Sequence, residues 1–207
     1  DEAGAALIPW TGELSPGILA PIVAARIIHE FPHVNFDAQL ADLASTQVSI
    51  DVPTDVKRTP YFCAGCPHNS STKVPEGSKA LAGIGCHVMA TWMDRNTESL
   101  VQMGGEGVNW VGKSRYIGNK HIFQNLGDGT YFHSGYMAIR QAKAAGTNIT
   151  YKILFNDAVA MTGGQPVDGQ ITVPAIANQV RSEGVKRIAI LSDEPEKYRD
   201  KSLFPSG

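Results

Sequence analysis

Two short apolar runs organise the second half of the chain, His121 to Leu126 and Asn148 to Phe155, and each stops at turn-forming residues, Gly127-Asp128-Gly129 and Asn156-Asp157. Runs of this length, bounded by glycine, asparagine or aspartate, predict buried strands. The stretch between them, Thr130 to Ala145, predicts a helix, and Val173 to Glu183 a second one. Further strands are expected near Leu100–Met103 and Val185–Leu191, and a further helix over Lys79–Asp94. Strands alternating with helices predict an α/β fold, a three-layer domain in which helices flank a mainly parallel sheet. Ahead of Val52-Pro53-Thr54-Asp55, where proline and charge interrupt the apolar pattern, the sequence is less regular. Pro21 opens a predicted helix through Phe31, with Ile22, Val23, Ile27 and Ile28 on its apolar face, and Asp37 caps one ending near Ser45. Residues 1–57 thus read as a helical entry segment or a linker from a preceding domain, and residues 58–207 as the α/β domain.

The two strand ends carry the most specific chemistry. Twenty-six residues separate Gly129 from Asn156, which is room for one helix and one strand. A strand that ends in Gly-Asp-Gly before a helix, beside a strand that ends in Asn-Asp, suits a diphosphate bridged to a divalent cation. Mg²⁺ takes oxygen ligands, and Asp128, Asn156 and the carbonyl of Ala158 can supply them. Gly127 and Gly129 let backbone approach the ligand closely, and Thr130 begins the helix whose first amides face the phosphates. Alone, Gly-Asp-Gly is an ordinary turn; the strand, helix and strand around it carry the reading.

Three cysteines form a second motif. Cys63-Ala64-Gly65-Cys66 is a tight pair of thiols, and Cys86 follows in Gly83-Ile84-Gly85-Cys86-His87. An odd number of cysteines does not make a disulfide framework, and this spacing suits iron–sulfur or zinc ligation. His68 and His87 flank the thiols, so a Cys₃His zinc site in a noncatalytic interaction module is one alternative, and three reduced cysteines without metal is another.

The Gly-Asp-Gly and Asn-Asp pair resembles the diphosphate-binding motif of thiamine diphosphate enzymes, with Asp157 where that motif has a second Asn. Met161-Thr162-Gly163-Gly164-Gln165 is similar to a stretch of the 2-oxoacid:ferredoxin oxidoreductases. Tyr61 to His68, Gly83 to His87 and Leu126 to Gly135 most resemble the indolepyruvate:ferredoxin oxidoreductases, in particular the long single-chain form found in bacteria. The resemblance covers about Arg58 to Ser192 and, more loosely, Leu7 to Pro16. It implies thiamine diphosphate and Mg²⁺ as cofactors, and a [4Fe-4S] cluster held by Cys63, Cys66, Cys86 and a fourth cysteine that lies outside this chain. It also implies oxidative decarboxylation of an arylpyruvate to aryl-acetyl-coenzyme A, with electrons passed to ferredoxin. Met161, where pyruvate-specific relatives carry Asn, favours a bulky apolar substrate. Within the family a separate pyrimidine-binding domain supplies an essential glutamate. No such domain fits here, so the chain is expected to be inactive alone, to act against that domain of the same enzyme, and to assemble with further copies of itself. A non-redox thiamine-dependent synthase or decarboxylase would share the metal motif but have no use for the cysteines.

Composition narrows the field further. With 18 basic and 20 acidic residues dispersed along 207, no stripe points to nucleic acid or to a lipid surface. No apolar run reaches the roughly twenty residues that span a bilayer, and Asp1-Glu2-Ala3-Gly4 does not open a signal peptide, so a cytoplasmic, truncated chain is expected. His133, one turn beyond Gly129, is a candidate catalytic group, and His68 a candidate cofactor contact, although a histidine on an amphipathic helix is more often structural. Gly104-Gly105-Glu106-Gly107 reads as an ordinary connection rather than a lid, and Trp10, Trp92 and Trp110 as packing residues.

Overall fold

The computed structural model describes residues 6–9, 14–46, 59–118, 120–169 and 171–206. The chain divides into two compact units, Asp1–Lys57 and Arg58–Gly207. The first unit holds two helices, α1 (Pro16–Glu30) and α2 (Asp37–Thr46). Helix α1 starts a turn and a half earlier than the expected Pro21. Pro16 occupies its first turn, where a missing N–H costs nothing, and Pro21 is accommodated inside the helix. Asp37 is the first residue of α2 rather than its cap; Asn35 Oδ1 accepts from the Asp37 N–H at 2.7 Å.

In the second unit the short α3 (His68–Ser71) precedes β1 (Ala80–Leu81), β2 (Thr97–Glu98), α4 (Val108–Lys113) and β3 (Ile122–Gly127). A continuous helical stretch follows: α5 (Asp128–Thr130), a π-helical turn at Tyr131–Gly135, and α6 (Tyr136–Ala144). Strand β4 (Ile149–Leu154) and helix α7 (Val173–Ser182) complete it. The four strands lie in the order β2-β1-β3-β4 and are all parallel, with Ile122 to Gly127 paired against Ile149 to Leu154. This is the α/β architecture with a helix-flanked parallel sheet that the pattern predicted. One apolar core joins Leu126, Tyr131, Ile139, Ile176 and Val180, so that β3, the π turn, α6 and α7 pack together. A second joins Leu81, Trp110 and Ile122.

Three expected elements are replaced. Lys79–Asp94 is not a helix: it holds β1, a glycine loop and a 3₁₀ turn at Cys86–Trp92, because Gly85 at φ +152° adopts a conformation closed to other residues. Leu100–Met103 is a loop, and the short strand before it, β2, ends at Glu98. Val185–Leu191 makes no ladder with the sheet; Val185 and Ile188 instead pack against the first core, and Arg181 Nη1 donates to the carbonyls of Val185 and Lys186.

Helix α6 is tied to the residue after α7 by Glu183, which accepts from Arg140 Nε at 3.0 Å to each oxygen and from Tyr136 Oη at 2.6 Å. Arg140 above all, then Tyr136, holds this carboxyl down to about 2. A depressed carboxyl stabilises the fold above its unfolded pKa and loses that contribution as pH falls through the folded value. Thermal stability of the wild type is therefore expected to fall as pH is lowered from about 4.5 toward about 2. Glu183→Gln, measured across the same range, is expected to flatten that dependence.

Candidate functional site

The sheet order creates a crevice. From β1 the chain passes to β2 on one side and then to β3 on the other, so the connections diverge between the carboxyl ends of β1 and β3. In parallel α/β sheets ligands bind at such a switch point. The loop Ala82–Gly85 and the turn Gly127–Asp128 lie there, and the end of β4 adjoins the same turn.

Asp128 is 3% exposed and anchors this region. Its Oδ1 accepts from the Gly129 N–H at 2.8 Å, and its Oδ2 accepts from the Asn156 and Asp157 N–H groups at 2.9 and 2.7 Å. The carboxylate thereby joins the tips of β3 and β4, and the two residues that the sequence set side by side do lie side by side. Asn156 is exposed, and its Oδ1 accepts from the Ala158 N–H at 3.2 Å. Asp157 sits at φ +57°, the left-handed conformation that turns both amides toward Asp128. A carboxylate has about four acceptor positions and an amide oxygen two, so three amides on Asp128 and one on Asn156 leave each with a lone pair. Hard oxygen donors with a free lone pair, next to two glycines, fit Mg²⁺ and a diphosphate.

The other candidates divide. Thr130 is buried and its Oγ1 donates to the Ile84 carbonyl at 3.5 Å, which ties the start of the helix to the β1 loop. His68 is buried, with Nδ1 at 3.3 Å from Ser71 Oγ and Nε2 without a partner. Burial lowers its pKa, while the charges of Asp128 and Asp193 oppose that shift. His133 is exposed on the π turn and pairs with the neighbouring Ser134 Oγ at 2.7 Å. The π turn at Tyr131–Gly135 follows the α5 turn that begins at Asp128, and such turns concentrate at functional sites.

Cys63, Cys66 and Cys86 are free thiols. They are neighbours: burial raises the pKa of Cys86, and the negative charge of Cys63 and Cys66 raises it further. Among the described residues no group of three or more His, Cys, Asp or Glu is arranged to hold a metal ion. Three thiols are one ligand short of a four-coordinate cluster or zinc site.

Sequence reasoning missed two residues. Glu106, read as part of an ordinary connection, is fully buried, and burial raises its pKa. His87, weighed only as a zinc ligand, is 2% exposed, and burial first, then the charge of His68, lowers its pKa to about 4. A lone acid set among three glycines was the one available signal for Glu106.

No family model matches the chain, and no solved structure matches it significantly. Among curated proteins it is 28% identical over 190 residues to the indolepyruvate oxidoreductase subunit IorA of Thermococcus kodakarensis, an alignment covering 83% of this chain and 28% of that protein. The subunit of the same name from Methanothermobacter thermautotrophicus is 28% identical over 167 residues, covering 71% of this chain and 27% of that protein. The one from Pyrococcus horikoshii is 27% identical over 194 residues, covering 83% and 28%. The chain thus spans about a quarter of the length of the curated relatives it matches. No helix among the described residues is long and apolar enough to cross a membrane.

Proposed function

We propose that this chain belongs to the indolepyruvate oxidoreductase family and that its residues 58–207 form the diphosphate-binding part of a thiamine diphosphate-dependent 2-oxoacid:ferredoxin oxidoreductase. The substrate class is arylpyruvates, oxidatively decarboxylated to aryl-acetyl-coenzyme A with electrons passed to ferredoxin. The observation that carries this reading is the clamp of Asp128 on the Asn156 and Asp157 amides at two adjacent strand tips. In such an enzyme the bound thiamine supplies the electron sink that makes loss of carbon dioxide from a 2-oxoacid accessible.

The protein's own task is position. Asp128, Asn156 and the Ala158 carbonyl would hold Mg²⁺, and Gly127, Gly129 and Thr130 would lie against the diphosphate, where the first amides of the 128–144 helical stretch favour negative charge. Buried His68, whose imidazolium feels the charge of Asp128, is assigned a contact to cofactor; exposed His133 is assigned a contact to substrate or to the facing domain. Cys63, Cys66 and Cys86 are assigned as three ligands of a [4Fe-4S] cluster, with the fourth from outside these residues. The facing partner is a pyrimidine-binding domain of the same enzyme, in a cytoplasmic homo-oligomer, and this stretch alone is inactive.

Anaerobically purified intact enzyme tests the redox reading. Brown protein, whose visible absorbance bleaches on addition of indolepyruvate and coenzyme A and recovers on addition of oxidised ferredoxin, is the expected result. A colourless enzyme that decarboxylates arylpyruvate without reducing ferredoxin would place it among the non-redox thiamine enzymes instead.

A further inference from the structure

The segment after α7, which makes no ladder with the sheet, instead forms one wall of a cavity of about 350 Å³, through the alternate residues Ile188, Ile190 and Ser192. Helix α7 supplies a second wall from Ala177 and Arg181, one turn apart. The 3₁₀ turns Pro195–Tyr198 and Lys201–Leu203, with the residues after them, supply the rest. Here the rings of Tyr198 and Phe204 meet edge to face, 6.2 Å between centroids, and Lys201 lies between them in sequence. Asn178 Nδ2 of α7 donates to the Leu203 carbonyl at 2.8 Å and holds these turns on the helix. No residue of the crevice at Asp128 lines this cavity.

The charge of the cavity is one-sided. Arg181 and Lys201 line it and no carboxylate does. Among the described residues neither cation forms an ion pair. Acids close by in sequence are engaged elsewhere: Glu194 with Lys197 Nζ at 2.5 Å, and Asp200 with the N–H and hydroxyl of Ser202 at 3.0 and 2.6 Å. The guanidinium is fixed before any ligand arrives, since Arg181 Nη1 donates to the carbonyls of Val185 and Lys186 at 3.2 and 2.8 Å. Its Nε, which is buried, has no acceptor. A planar guanidinium held in this way is matched to a carboxylate, and little ordering is left to be done on binding. We propose that this cavity binds a small organic carboxylate, with the anion toward Arg181 and Lys201 and an apolar body against Ile188, Ile190 and Phe204. Inorganic phosphate would satisfy the cations but leave those apolar walls in water, so the apolar body is part of what is recognised. The inference concerns the far side of α7 and holds whichever cofactor the crevice takes.

Ligand-observed NMR titration of the intact polypeptide with 3-phenylpropionate tests it, with 3-phenylpropan-1-ol and inorganic phosphate as comparison probes. The acid is expected to bind saturably, about tenfold or more tighter than the alcohol, and to resist displacement by an equal concentration of phosphate. Arg181→Gln is expected to weaken the acid about tenfold or more and to leave the alcohol unchanged. Because Arg181 also supports two backbone carbonyls, Lys201→Glu, at an exposed position, carries the decision if that variant fails to fold; it too is expected to weaken the acid and spare the alcohol. Asp128→Asn is expected to bind the acid as the wild type does, which separates this cavity from the crevice. Equal binding of acid and alcohol, displacement by phosphate, indifference to Lys201→Glu, or loss in Asp128→Asn would each overturn the assignment, as would the absence of saturable binding.

Discussion

Asp128→Ala is expected to lower the unfolding free energy by about 2–4 kcal/mol and to remove any stabilisation of the protein by Mg²⁺ with thiamine diphosphate. The first effect follows from the clamp. One carboxylate receives the amides of Gly129, Asn156 and Asp157, so its loss releases three charge-assisted hydrogen bonds and uncouples the tips of β3 and β4. The second follows from linkage: a ligand that binds only the folded state raises apparent stability by mass action, and a variant that cannot bind gains nothing. Denaturant unfolding with and without the two ligands separates the effects. Asp128→Asn keeps one acceptor oxygen for the Asn156 and Asp157 amides but sets its NH₂ against the Gly129 N–H, so part of the stability loss is expected to remain while the ligand response is lost. A ligand response that survives in Asp128→Ala would argue that this carboxylate is a structural staple only.

The second large effect lies away from the site. Trp110→Ala is expected to cost about 3–5 kcal/mol. Trp110 is 1% exposed, fills the core with Leu81 and Ile122, and donates from Nε1 to the Asn148 carbonyl at 3.1 Å. It therefore joins α4, β1, β3 and the start of β4, the strands whose ends build the crevice. Trp110→Phe retains most of the volume and leaves one carbonyl without its donor, so about 1–2 kcal/mol is expected. Urea unfolding of the two variants gives both numbers. A loss below about 1 kcal/mol in Trp110→Ala would mean that the second core does not support the sheet.

What could be read from the chain and what could not divide along physical lines. Strands β3 and β4 and helix α7 were legible because each is a sustained apolar pattern closed by punctuation, and α6 because its buried Ala138, Ile139 and Ala142 recur at helical spacing. Strands β1 and β2 have two residues each, too few for a period, and their place in the sheet comes from ladders to distant partners, Ala80 to Phe123 and to Thr97. Apolar residues at 185–191 looked like a strand because composition alone does not say whether a β-rich segment finds a ladder. In the site, the adjacency of Asp128 and Asn156 was readable because strand, helix and strand in succession bring parallel strand ends together. The approach of Glu106 and His87 to Gly83 was not. It arises from two loops crossing over Gly83, and nothing in local spacing encodes that crossing.

Calorimetric titration of thiamine diphosphate into the intact protein, with and without Mg²⁺ and in parallel into Asp128→Asn, tests the central claim most directly. The account predicts saturable binding that requires Mg²⁺ and is lost in the variant. Binding of equal strength without the cation, or in Asp128→Asn, would contradict it.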